Sequence, residues 1–381
     1  IYAQDLNPWA MQGLSGMLRL PSPADIEKLT QELKEAAEPL LHSAYATSFS
    51  DGEPATISHT FRVASATCSQ CGARSRLFPH AMVSLLARKE RGNESLLRFM
   101  VWVTLRLGRP VARLLLPPIV GYFVLFSPRA RAASRTYLGR VLGRIPRWAD
   151  LYRHYHTFAQ TIMDRVYFLS GRYHYFDITV HGAEAVRELV ARGRGCVLLG
   201  SHLGSFEALR AAGVNDGGLP VSMLMDTANA QRVTRIFTAL DPTLAKAMIN
   251  MGEPSSLLRA KERLEAGGLV GTLADRLRPG DDAVECMFFG RAMRFPEGPL
   301  LLAGVLQAPV VLCFGLYRGG RRYDIHFEAF SAGLELPRRD RSAALATLMQ
   351  RYTDRLEHYC HSAPYNWFNF YDVWDASNTN S

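Results

Sequence analysis

Cysteine is scarce, with six in 381 residues at irregular spacing. That excludes a small secreted scaffold held by disulfides. Cys196, Cys286 and Cys313 lie within apolar runs, where buried, reduced thiols and a cytosolic-facing protein are expected. No signal peptide opens the sequence, which begins on Ile1 instead of methionine. A start inside a longer reading frame, or a trimmed chain, is the expectation. Long apolar runs are also missing. The most apolar stretch, Leu114 to Phe126, is too short to span a bilayer. Arg98, Arg106, Arg109 and Arg113 precede it, so one continuous helix through both halves would carry charge at membrane depth. Acidic residues nearly vanish between 129 and 153, where Asp150 stands against Arg129, Arg131, Arg135, Arg140, Arg144, Arg147 and Arg153.

What is present is apolar and basic. A chain of this length with 48% hydrophobic residues can bury one sizeable α/β core plus a smaller unit. The net charge of +9 and pI of 9.4 come almost entirely from arginine. They point to an anionic partner: nucleic acid, an acidic carrier protein or an anionic membrane surface. The stretch from Leu96 through the arginine-rich segment reads as an interfacial anchor, with apolar faces at the headgroup boundary and arginines on lipid phosphates. The same arginines suit an acidic carrier protein. They also read as a solvated helix face packed through Tyr137, Leu138 and Leu142.

From Tyr173 onward short β-like runs alternate with helical stretches. Phe176–Val180, Cys196–Leu199, Val221–Met225, Leu269–Leu273, Val310–Phe314 and Tyr323–Phe327 read as strands. Ala183–Ala191, Val233–Leu240, Ser255–Ala266 and Ser342–His358 read as helices. This alternation predicts an α/β fold with a mixed, largely parallel sheet flanked by helices. Sites in such folds form at the carboxyl ends of strands.

The sequence Gly200-Ser201-His202-Leu203-Gly204-Ser205-Phe206-Glu207 occupies such an end. With His202 in the strand-to-helix turn and Glu207 in the first helical turn, the carboxylate is expected to accept the imidazole N–H. The other ring nitrogen is then left to take a proton. Glu207 also reads as an ordinary helix-start carboxylate.

The His-x4-Glu pair resembles the signature of the lysophospholipid acyltransferase superfamily, specifically its lipid A late-acyltransferase-like branch. Three further segments follow in the family's order. Leu273-Ala274-Asp275-Arg276 is similar to the second block, Arg294-Phe295-Pro296-Glu297-Gly298-Pro299 to the Phe-Pro-Glu-Gly block, and Ala308-Pro309-Val310-Val311-Leu312 to the last block. Ala363 to Asp372 resembles a C-terminal signature of one bacterial branch. The resemblance begins near Glu90 and runs to the end of the chain. It implies a glycerolipid acyltransferase-like fold and an enzyme that moves a fatty acyl chain from an acyl carrier protein or coenzyme A thioester to a lipid or glycolipid hydroxyl or amine. His202 would be the general base with Glu207. Asp275, Arg276, Phe295, Glu297 and Gly298 would serve the substrate, with Arg276 on an anionic group of the acceptor. No metal or redox cofactor is called for. The implied location is the cytoplasmic face of the bacterial inner membrane, peripheral or monotopic. The absence of a clean N-terminal spanning helix departs from the lipid A enzymes. Individually, Asp275-Arg276 also reads as a surface ion pair and Phe295 to Gly298 as a turn.

Residues 1–88 differ. Asp5-Leu6-Asn7-Pro8-Trp9-Ala10 and Cys68-Ser69-Gln70-Cys71-Gly72 resemble an internal fragment of bacterial adenine-specific DNA methylases. The family's glycine-rich loop and its Asp/Asn-Pro-Pro-aromatic motif are missing, so no methylation is expected. Cys68 and Cys71 have the spacing of one zinc knuckle. His80 is a conceivable third ligand and a fourth is lacking. The expected organisation is therefore a non-functional fragment over 1–88, a basic, apolar membrane-associating helical region over 89–172 and an acyltransferase domain over 173–381. A DNA-binding or methylase-derived module and a catalytically silent membrane-associated scaffold are the alternatives. No groove-reading element supports the former, and no nucleic-acid partner is expected.

Overall fold

The computed structural model describes residues 94–375, except 216–220, 226–239, 242–246, 252–254, 279–280 and 338, together with four short strands between residues 46 and 76. Two compact units divide the chain, residues 1–85 and 86–381. In the first, β1 (Ala46–Ser48) pairs with β2 (Pro54–Thr56), and β3 (Ser65–Thr67) with β4 (Arg74–Arg76), both antiparallel. The methylase-like run at Asp5, Cys68, Cys71 and His80 all lie outside the described residues, as does most of the expected helix Val233–Leu240.

The second unit opens with four helices: α1 (Glu94–Arg106), α2 (Gly108–Phe126), α3 (Pro128–Leu142) and α4 (Trp148–Leu169). Gly108, at φ 84°, makes a left-handed break between α1 and α2, so Arg98 and Arg106 lie on one helix while Arg109 and Arg113 share the next with the apolar run. Helix α2 reaches further upstream than the apolar run itself. At 19 residues and a mean hydropathy of 1.3 it is long and apolar enough to cross a bilayer by length and composition, which the shorter run had not suggested. One side of it is nonetheless seated on protein. Ala112 and Leu116 pack with Val103 and Met163, while Val120 and Val124 pack with Tyr155 of α4. Arg109 is buried, and its guanidinium donates to both oxygens of Asp164 at 2.8 Å. In α3, Tyr137 and Leu138 are buried, so the arginine-rich segment rests on the core through that side.

The remainder is an α/β fold with a seven-stranded sheet in the order β5-β13-β12-β6-β9-β7-β8. In chain order these elements are β5 (Asp177–His181), α5 (Glu184–Ala191), β6 (Cys196–Gly200), α6 (Phe206–Asn215), β7 (Val221–Met225), β8 (Met248–Asn250), α7 (Ser256–Glu265) and β9 (Leu269–Leu273). After them come β10 (Ala283–Phe288), β11 (Arg291–Pro296), α8 (Gly298–Val305), β12 (Val310–Gly319), β13 (Arg322–Ser331) and α9 (Arg341–Ser362). All pairings in the sheet are parallel except β12 with β13. The central β6 is buried at every position, as a strand covered on both faces must be. Strands β10 and β11 form a separate antiparallel ribbon.

Two apolar clusters lie on the sheet. One gathers Val197 and Leu199 with Phe288, Phe295, Tyr352 and Trp367; the other gathers Cys196 and Leu198 with Phe168, Val186 and Tyr323. Residues 197 and 199 thus face one layer and 196 and 198 the other, as the two-residue period of a strand requires. Cys196, Cys286 and Cys313 are buried free thiols.

Trp367 is fully buried between Tyr137 and Phe288. Trp367→Ala is expected to lower the unfolding free energy by about 3–5 kcal/mol, read as a lower urea midpoint at unchanged slope. A change below about 1 kcal/mol would contradict this packing role.

Candidate active site

Parallel register brings the first two site residues together. Gly200, the last residue of β6, is paired with Leu273, the last of β9. His202 and Asp275 each lie two residues beyond that pair, so adjacent strand ends deliver them side by side. His202 Nδ1 is 2.8 Å from Asp275 Oδ1, and the His202 amide donates to the same carboxylate at 3.0 Å. An ionised carboxylate only accepts, so Nδ1 carries the proton and Nε2 holds the lone pair. The His202 side chain is 29% exposed and Asp275 is fully enclosed.

The hydrogen bond expected from Glu207 is therefore made by Asp275. Glu207 sits in the first turn of α6, is buried, and pairs with Arg165 of α4 while accepting the Ser205 hydroxyl at 3.4 Å. The turn between His202 and Glu207 explains the separation. Gly204 is at φ 77°, and a side chain there would run into the Gly315 carbonyl. Its amide donates to Asn366 O at 2.8 Å, and the Ser205 amide to Gly315 O at 2.7 Å. The loop is thus tied to β12 and to the C-terminal segment, and Glu207 goes to α4.

That C-terminal segment completes the site. Trp367 Nε1 donates to Asp275 Oδ2 at 2.9 Å and Asn369 Nδ2 at 3.0 Å. The Phe368 amide donates to the His202 carbonyl at 2.9 Å, and His154 of α4 bonds through Nε2 to the Trp367 carbonyl at 2.8 Å. Arg276 points its guanidinium at the same segment, with Nε on Asn369 Oδ1 at 2.6 Å and Nη2 on Phe368 O at 2.9 Å. It is exposed and more than an ion-pair partner of its neighbour.

Burial alone would push the Asp275 carboxyl up. The hydrogen-bonded His202, the adjacent Arg276 and the His202 amide overcome it and hold Asp275 down at about 2. For His202, burial first and Arg276 second lower the imidazole below its ordinary value against the pull of Asp275. A neutral base next to a fixed negative charge follows at neutral pH.

The Phe-Pro-Glu-Gly segment is not a free turn. Phe295 and Pro296 end β11, Glu297 directly precedes α8, and Gly298 and Pro299 begin that helix. Phe295 is fully buried, edge-on to Tyr352, whose hydroxyl donates to Gly200 O at 2.8 Å. Glu297 is half-buried and Gly298 exposed. No hydrogen bond or ion pair among the described residues joins Glu297 to His202.

Trp367, Asn369, Tyr352, His154 and Arg165 were not singled out for the site from sequence. The only signal for the first two was the resemblance of Ala363 to Asp372 to a C-terminal signature, which assigns neither residue a role.

The model of the bacterial lipid A biosynthesis acyltransferase family matches residues 84–375. The chain belongs to this family. It is an acyltransferase that acts on a lipid. No curated protein matches it.

Asp275 links this acyltransferase's site to its stability. Its folded pKa lies below the ordinary carboxylate value of 3.8, so its contribution of about 2 kcal/mol is present above pH 4 and is lost as the pH falls toward 2. Urea unfolding between pH 4 and 2 should therefore show a steeper loss of stability in the wild type than in Asp275→Asn. Parallel curves would contradict the assigned environment.

Proposed function

We propose that this enzyme transfers a fatty acyl chain from an acyl carrier protein or coenzyme A thioester to a hydroxyl or amine of a lipid or glycolipid, with His202 as general base. The observation that carries the reading is the His202 Nδ1 to Asp275 bond of 2.8 Å at the end of β6. Asp275 fixes the tautomer, and Nε2 of His202 takes the acceptor proton. The acceptor oxygen or nitrogen forms a bond to the thioester carbonyl carbon. The carbon–sulfur bond then breaks, and the leaving thiolate takes the proton back from the imidazolium. Direct attack needs no acyl-enzyme once both reactants share the site. Arg276 positions an anionic group of the acceptor, since guanidinium matches phosphate and carboxylate geometry. Glu297 and Gly298, at the start of α8, serve the acceptor pocket. Glu207 acts at one remove, holding Arg165 of α4 near the His202 loop. This chemistry asks for no redox cofactor.

The enzyme works at the cytoplasmic face of the bacterial inner membrane. Phe99, Trp102, Leu114, Tyr122, Leu125 and Phe126 of α1 and α2 are exposed, an apolar surface that suits the headgroup boundary. Trp148, stacked by Arg131 and Arg135 at 5.5 and 5.7 Å, adds an aromatic and cationic edge facing anionic lipid.

Free-thiol release with acyl carrier protein or coenzyme A thioesters and a lipid extract tests the chemistry. Release that requires lipid and falls about 10²–10⁴-fold in His202→Ala is expected. Release unchanged in that variant would remove His202 from the reaction. In vesicle flotation, anionic vesicles should carry the protein, and Trp102→Glu with Leu125→Glu should reduce the bound fraction. Equal flotation of the double variant would refute this membrane face.

A further inference from the structure

At the β5 edge of the sheet, three strand positions from β6, two histidines and an aspartate converge. His181, the last residue of β5, is the parallel partner of His326 in β13. Asp324 precedes His326 by two residues, so the period of a strand puts both on one face of β13. One ligand atom from each of His181, Asp324 and His326 lies within 4.8 Å of the other two. The imidazoles are stacked, with centroids 4.6 Å apart and planes 14° from parallel. His326 Nε2 is buried and lacks a hydrogen-bond partner, an arrangement that is costly unless something fills it.

We propose that His181, Asp324 and His326 bind one divalent transition-metal ion, with zinc the best match. Imidazole and carboxylate donors suit zinc, cobalt and nickel, and two histidines with a carboxylate leave a fourth, open position for water. Tetrahedral zinc with ligands at about 2.1 Å sets donor atoms roughly 3.4 Å apart and takes each imidazole lone pair in its ring plane, so closing the site requires the exposed His181 ring to turn out of its stack on His326. His181 is exposed and the other two are half-buried, which gives the ion an entry path. Arg318 donates through Nε to Asp324 Oδ2 at 2.7 Å. It also donates through Nη1 to Ser362 O at 2.8 Å, so it keeps a partner if the carboxylate turns to the metal. The ion would tie β5, the edge strand beside β13, to the body of the sheet. The site shares no residue with the acyl-transfer machinery.

The test uses the full chain without a histidine tag, stripped of metal and titrated with zinc against a chromophoric chelator, then with cobalt while visible absorption is recorded. One zinc per chain, tetrahedral cobalt bands and an upward Tm shift are expected. His181→Ala and Asp324→Asn should each weaken binding at least tenfold and abolish the cobalt bands, whereas His361→Ala should leave both unchanged. His181 is exposed, so its replacement leaves the core intact, and a wild-type-like Tm without metal checks that. Zinc binding that persists undiminished in both site variants, or no binding by the wild type, overturns the proposal.

Discussion

A single carboxylate, enclosed and ionised, organises this enzyme. Asp275 receives the His202 amide, the His202 imidazole, the Trp367 indole and the Asn369 amide. Each donor comes from a segment that would otherwise be independent: the loop after β6 and the C-terminal tail after α9. An enclosed charge without such partners would be strongly destabilising, and with them it locks their relative positions. The same bonds that make the carboxylate tolerable aim the catalytic candidate.

Other contacts extend the locking outward. His154 in α4 reaches the Trp367 carbonyl with one nitrogen and the Ser134 hydroxyl with the other, so the helical layer is fastened to the tail that holds Asp275. Burial lowers His154 to about 4, and a neutral imidazole suits that bridging role. Arg165 couples α4 to Glu207 in α6. Helix α4 is therefore bonded both to the tail that holds Asp275 and to the first turn of the helix that follows the His202 loop.

Strands β6, β7 and β9 were legible because they are short, apolar and bounded by glycine or charge, whereas β12 and β13 run ten residues each, about twice the length read from sequence. Val221–Met225 and Leu269–Leu273 have the predicted bounds, and β6 differs only by Gly200. Strand β8 escaped notice because three residues carry no periodicity. The β10–β11 ribbon was missed although Val284, Cys286 and Phe288 alternate with exposed or partly exposed neighbours; its signal lay in the Phe289-Gly290 turn. The site was half legible. His202, Asp275 and Arg276 were found as residues, but the bond from His202 to Asp275 depends on β9 lying beside β6, with β7 displaced outward. Sequence proximity favoured Glu207 because it cannot express strand order. Trp367 and Asn369 were invisible as site groups for the same reason: their role arises from a tail folding back across 92 and 94 residues.

The central claim is that Asp275 sets the protonation geometry of His202, and nitrogen-15 NMR of the His202 ring tests it most directly. At pH 7 the wild type should show a neutral ring protonated at Nδ1, with a downfield Nδ1 proton that disappears in Asp275→Asn. A ring protonated at Nε2, or a spectrum unaltered by Asp275→Asn, would contradict the account.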